Sequence, residues 1–233
     1  TPTVDAAGTY TLTVTNAAGC IDSDITTVSE DVTPPTAGSS AAGIIDCNNT
    51  TTTVTGTGGG TYSWVASGGG NITSGAGSAT ATVDAAGTYT VTVTGANGCV
   101  DTDVTVVTDD LTTPIANAGS AGVIDCNNTT INLSGSGGGD YSWVASGGGN
   151  VTSGASSATP TINAAGTYTV TVTGANGCTD TDVTTVTTDL TPPNADAGSD
   201  GAIDCTVSAA DLTATGGGTY SWVASSGGNI TSG

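Results

Sequence analysis

The amino-acid sequence predicts an all-β chain of tandem antiparallel β-sandwiches, and three observations carry that prediction. The first is an unbroken repeat: 89 − 10 = 79 = 168 − 89 for Tyr10, Tyr89 and Tyr168. The same interval links Cys20, Cys99 and Cys178, then Cys47, Cys126 and Cys205, then Trp64, Trp143 and Trp222. The second is strict alternation of apolar residues with threonine, the period of a half-buried strand. The third is the regular recurrence of Gly-rich turns with nothing of helical period between them.

A fixed period of this length marks small domains in an array rather than solenoid turns. Pro-bearing stretches, "VTPPT" at 32–36, "LTTPI" at 111–115 and "LTPPN" at 190–194, mark the junctions. The chain thus divides into the C-terminal part of a repeat at 1–33, complete repeats at 34–112 and 113–191, and the N-terminal part of a repeat at 192–233.

Within a unit the elements follow in order. "GII" at 43–45, "TTTVTG" at 51–56, "YSWVA" at 62–66 and "ATATV" at 79–83 are short strands separated by glycine turns. "TYTVTVT" at 88–94 turns Tyr89, Val91 and Val93 to one face and Thr88, Thr90, Thr92 and Thr94 to the other. "ANG" reverses the chain, and "TDVTVV" is expected to return with Val104 and Val106 inward and the carboxylates of "DTD", 101–103, outward. Six or seven such strands per unit read as a sandwich.

Composition narrows the function. The 233 residues include 20 acidic side chains and no lysine, arginine or histidine, for a formal charge of −20. With no side chain titrating near neutrality and no amine, acid-base and Schiff-base catalysis lack their groups, so no enzyme is expected. Nothing cationic is available to neutralise phosphates, which argues against nucleic acid and anionic lipid as partners. The same lack excludes Lys-Asn isopeptide cross-links and cleavage after basic residues. No stretch nears the roughly 18 apolar residues of a membrane span, so no membrane insertion is expected. No charged n-region opens the sequence at Thr1, and no secretory signal is read there. Apolar residues make up 36% of the chain, but Phe and Met are absent. The core is therefore thin and needs support from elsewhere.

"DAAGTY" at 84–89 resembles the tyrosine corner of immunoglobulin-like domains, in which a Tyr hydroxyl folds back onto upstream backbone. Tyr10, Tyr89 and Tyr168 are then architectural, and Asp84 holds the turn. Asn163 replaces that Asp in the next repeat, keeping an acceptor without a charge as a turn residue can and a catalytic acid cannot. The Trp of "YSWVA" stands where strand C of such domains carries its buried Trp. "GTYSWVASGGGNITSG" followed by "VDAAGTYTVTVTGANGCVDTDVTVV" resembles the PKD-like and immunoglobulin-like repeats of very large secreted surface proteins of Bacteroidota, gliding-motility adhesins among them. The resemblance runs through every repeat. It implies an extracellular, cell-surface protein built as a repetitive stalk or filament.

All six cysteines, Cys20, Cys47, Cys99, Cys126, Cys178 and Cys205, are assigned to disulfides, as an even and regular count in a secreted-looking chain warrants. No cation or histidine is present to activate a thiol. Two pairings are open. In a sandwich of this kind strands B and F run the same way, so Cys47, before B, and Cys99, after F, lie about 25 Å apart, beyond the ~7 Å Cα limit of a disulfide. That favours Cys47 with Cys178 across the junction, and Cys126 with the next equivalent cysteine beyond residue 233. The other pairing is an intradomain bridge, Cys47 with Cys99.

Stacked repeats would also bring Asp46, Asp109 and Asp110 toward Asp180 and Asp182, an all-oxygen set suited to Ca²⁺. A solvated acidic surface that keeps a Thr-rich fibre soluble is the alternative. No other cofactor is expected. The runs "GTGGG" and "SGGGN" lack the Lys of a phosphate loop and are turns. Asn48, Asn49 and Asn71, with Asn127, Asn128 and Asn150, head sequons that mark loops able to accept sugar. The function expected is a structural filament or adhesin stalk whose partners are other copies of the repeat and neighbouring chains. The alternative is a module that binds surface glycans or adheres to cells through Ca²⁺.

Overall fold

The computed structural model describes residues 1–232 and is all-β. Residues 1–33 form β1 (Gly8–Thr15) and β2 (Ile21–Val28). The first full repeat contains β3 (Gly38–Ala41), β4 (Ile45–Asp46), β5 (Thr52–Thr57), β6 (Thr61–Ser67), β7 (Ile72–Ser74), β8 (Thr80–Val83), β9 (Gly87–Thr94), β10 (Val100–Val107) and β11 (Asp109–Asp110). The second contains β12 (Val123–Asp125), β13 (Ile131–Asn132), β14 (Asp140–Ser146), β15 (Val151–Ser153), β16 (Thr161–Ile162), β17 (Gly166–Thr173) and β18 (Thr179–Asp189). In residues 192–232 the only described pairing is an isolated bridge, Asp196 to Thr215. No helix among the described residues is long and apolar enough to cross a membrane.

Two compact units emerge. One comprises Thr1–Ala116, Gly137–Tyr141 and Thr171–Thr181; the other comprises Asn117–Ser136, Ser142–Val170 and Asp182–Gly233.

In the first full repeat one sheet has the order β3-β5-β8-β7 and the other β10-β9-β6, with β4 and β11 paired in parallel beside them. This is the two-sheet arrangement of a seven-stranded immunoglobulin-like sandwich, with β6, β9 and β10 in the places of strands C, F and G. The second repeat shows β13-β16-β15 and β12-β18-β17-β14. Alternation explains the core. Tyr89, Val91 and Val93 of β9 are fully buried, meeting Val54 of β5 and Ala81 and Val83 of β8 in one cluster. Trp64, opposite Val91, closes it and donates its indole N–H to the Ser78 carbonyl at 3.0 Å; Trp143 does the same with Ser157.

Two sequence expectations held the wrong face. Val104 and Val106 are 53% and 60% exposed, while Asp101 and Asp103 are half-buried. The turn explains the inversion. The five residues Gly95–Cys99 are closed by Gly95 N–H to the Cys99 carbonyl at 2.9 Å, which sets Thr94 against Val100 and Asp101 against Val93. Directly opposed residues of an antiparallel pair share a face, so the carboxylates stand on the core side and the valines point out. The strands at Gly38–Ala41 and Ile72–Ser74 carry no strong alternation and were absent from the sequence reading.

The tyrosine corners form in all three copies. The hydroxyls of Tyr10, Tyr89 and Tyr168 donate to the carbonyls of Ala6, Ala85 and Ala164, each four residues upstream. Tyr89 also accepts the Asn71 N–H at 2.9 Å. Asn71 Nδ2 donates to Asp84 Oδ1 at 2.8 Å, and Asn150 donates to Asn163 at the same distance, so the exchange of Asp for Asn preserves the bond.

Candidate functional site: the disulfide-bridged junction

Cys47 sits in a tight loop. Asp46 Oδ1 accepts the backbone N–H of Asn48 (2.9 Å) and Asn49 (2.6 Å), and the Asp46 N–H donates to the Asn49 carbonyl. Asp and Asn stabilise such turns by bonding their own backbone a few residues on. Cys178 ends the turn "GANGC", in which Gly174 N–H donates to the Cys178 carbonyl and Asn176 Oδ1 accepts the Cys178 N–H.

The two loops, one from each full repeat, are joined by a disulfide between Cys47 and Cys178, with a Cα separation of 5.0 Å inside the ordinary range. This is the pairing favoured by strand topology. The alternative of Cys47 with Cys99 is not found: Cys99 is free, as are Cys20, Cys126 and Cys205.

The bond is one of several ties. Cys47 N–H donates to the Asn176 carbonyl at 3.0 Å. The Asn176 amide nitrogen lies 2.9 Å from the Thr112 carbonyl and 3.1 Å from both the carbonyl and Oδ1 of Asp110. Gly177, at φ +78°, is met by the Asn48 side chain so closely that a Cβ would collide with it. The positive φ is what favours glycine here, since the Asn48 side chain is exposed and could move aside. Cys178 itself is buried. Asp110 titrates below the ordinary carboxylate range, held there first by the Thr112 N–H and then by the Asn176 amide. By sequence alone "ANG" is identifiable only as a turn. The usable signal was its return every 79 residues beside a cysteine: Asn97 likewise donates to Thr33 (2.9 Å), the counterpart of Thr112.

The expected convergence of Asp46, Asp109, Asp110, Asp180 and Asp182 does not occur. Among the described residues no three acidic or cysteine side chains group as metal ligands. Four of the five carboxylates have a nearer task. Asp46 closes its own turn, and Asp110 faces Thr112 and Asn176. Asp180 and Asp182, on the core side of β18, accept the N–H of Ala116 (2.9 Å) and Ala118 (2.8 Å). The first full repeat does likewise: Asp101 takes the Ala37 N–H (2.9 Å) and Asp103 the Ser39 hydroxyl (2.8 Å), all four pairs 64 residues apart. "DTD" is thus a seam that fastens the entering segment of each repeat to its last strand. Asp103 and Asp182 titrate below the ordinary range, the first chiefly through Ser39 and the second through Ala118. Asp109 remains exposed.

Several solved structures show a weak likeness to the chain, all at TM-scores below 0.5. An ice-binding bacterial adhesin retained at the host cell surface is 21% identical over 78% of this chain and 74% of its own (TM-score 0.44). A protocadherin γB7 EC3–6 structure is 12% identical over 78% of this chain (TM-score 0.35). The insect immune protein hemolin is 14% identical over the same share (TM-score 0.32). The chain spans 57% of the protocadherin chain and 56% of hemolin. No curated protein sequence matches. Residues 32–108 match the family of PKD-like domains, and residues 113–192 match the immunoglobulin-like, CHU_C-associated domain.

Proposed function

We propose that the chain is a length of extracellular stalk or filament, of the kind found in large bacterial surface adhesins of the gliding-motility type, whose immunoglobulin-like repeats are locked to one another by disulfides. The observation that carries this reading is the Cys47–Cys178 bridge, reinforced by the Asn176 hub, because it joins two copies of a repeat rather than two strands of one. A bond so placed restricts pivoting about a Pro-bearing linker. The absence of any basic side chain fits a long-lived solvated rod rather than a catalyst. The remaining cysteines extend the scheme. Cys126 pairs with its counterpart one repeat beyond Cys178, and Cys20, Cys99 and Cys205 pair at the same 131-residue separation, all with positions outside 1–233. Its partners are further copies of the repeat and neighbouring chains.

Electron micrographs of native material, compared before and after reduction, test the proposal. A thin uniform fibre with an axial repeat of roughly 35 to 45 Å, the length of a small sandwich, is expected, becoming visibly more flexible in reductant. Freely pivoting beads in both conditions would refute it.

A further inference from the structure

We propose that the Cys47–Cys178 disulfide is a covalent bypass of the linker: tension along the chain crosses through sulfur into one extended strand, and a cut in the linker leaves the chain in one piece. The inference rests on the stalk reading and specifies how such a stalk bears load.

The bond closes a loop between residues 131 apart. Within that loop lies the linker 111–115, where Leu111 is 54% and Ile115 82% exposed and no strand forms. An exposed linker without ladder hydrogen bonds is where proteases nick and chains yield first. The same loop contains Trp64, Tyr89, Trp143 and Tyr168, the aromatic anchors of both full repeats. Force reaching Cys47 from upstream passes directly to Cys178. The next residue, Thr179, opens β18, an 11-residue strand. A strand rises ~3.3 Å per residue against a limit of ~3.6 Å for any chain, so this path is already taut.

The consequence links mechanics to composition. Cores built mainly of Val and Ala with a few Ile or Leu around a single Tyr-Trp pair are thin, and most of their strands hang beside the load path, which touches the second core through β18 and its buried Val186. The spacing repeats the logic at each period. Cys99 to Cys126 spans 27 residues, holding β10, β11, the linker and β12, whereas Cys126 to Cys178 spans 52 and holds the β13 to β17 module. With equivalent bridges throughout, each linker lies in a 27-residue segment of one load path and is spanned by the disulfide of a second, parallel path, while the β13 to β17 module hangs outside both.

The test stretches the full chain from its two ends in an optical trap. Oxidised protein is expected to withhold the loop until the tether breaks, and reductant to release an additional length of about 470 Å, 131 residues at ~3.6 Å each. Cys47→Ser should release it without reductant. In a second arm, a site-specific protease sequence replaces residues 111–115 of the full chain. After cutting, non-reducing electrophoresis should show one species and reducing electrophoresis two. Oxidised chain that yields its whole contour length, or cut oxidised chain that separates, would overturn the proposal. The two readings fail separately: withheld length without a thin fibre removes the stalk and leaves the bypass, and a thin fibre whose oxidised chain yields fully does the opposite.

Discussion

The heptapeptide TYSWVAS occurs at 61–67 and again at 219–225, identical in sequence and different in structure. At 61–67 it is β6, paired residue for residue with β9, and Trp64 is 4% exposed. At 219–225 it forms no strand, and Trp222 is 40% exposed. Residues 192–232 contain no counterpart of β9. The converse holds at the other end of the sequence. β1 pairs with β2 in the register of β9 with β10, Thr15 against Ile21 as Thr94 against Val100, because its partner is local. Leu12 is nevertheless 64% exposed where Val91 is fully buried. A hairpin needs only its turn, whereas strand C and the core need a partner distant in sequence, whose loop-closure cost only burial offsets.

That contrast can be broken at several points. The largest effect is expected from the bridge: in residues 1–233, Cys178→Ser should lower stability by about 5 kcal/mol on the chain-entropy account of a 131-residue loop, while Cys205→Ser, whose proposed partner lies outside that span, should change nothing. Denaturant unfolding followed by circular dichroism measures both. Trp64→Ala should cost about 3 to 5 kcal/mol, the usual loss for a buried aromatic, against less than about 0.5 kcal/mol for Trp222→Ala measured in residues 1–233, which do not reach the equivalent of β9 one period on. Equal losses at the two sites would show that the heptapeptide is packed alike in both places.

Tyr89→Phe should cost about 1 to 3 kcal/mol, because it strands the Asn71 N–H in a part-buried site. Tyr10→Phe removes one exposed bond and should cost less. The smallest effect concerns the carboxylates of the seam and of the junction. Asp103, Asp110 and Asp182 have lowered folded-state pKa values, so their contribution is present above the ordinary carboxylate pKa and is lost as pH falls through the folded one. Tm should therefore drop on acidification below pH ~4, and Asp103→Asn should flatten part of that drop.

Much of this was written in local pattern. The 79-residue period, the alternation of TYTVTVT and the turn residues of DAAGTY determined an all-β tandem sandwich with tyrosine corners, because strand period and turn chemistry depend on neighbouring residues. The polarity of strand directions also favoured Cys178 over Cys99 as the partner of Cys47, with the intradomain pairing left open. Tertiary structure decided what depended on register and on distant partners. The parity of a five-residue turn placed Asp101 and Asp103 over the core edge and Val104 and Val106 in solvent, since a one-residue slip exchanges every face. Tertiary placement also kept the five aspartates expected to gather around a cation apart: Asp46, Asp110, Asp180 and Asp182 each bond a backbone N–H or an amide, and Asp109 is exposed. Asn176 shows the division most plainly: its sequence context identifies a turn residue, but only the approach of Asp110 and Thr112, more than sixty residues upstream, makes it the hub of the junction.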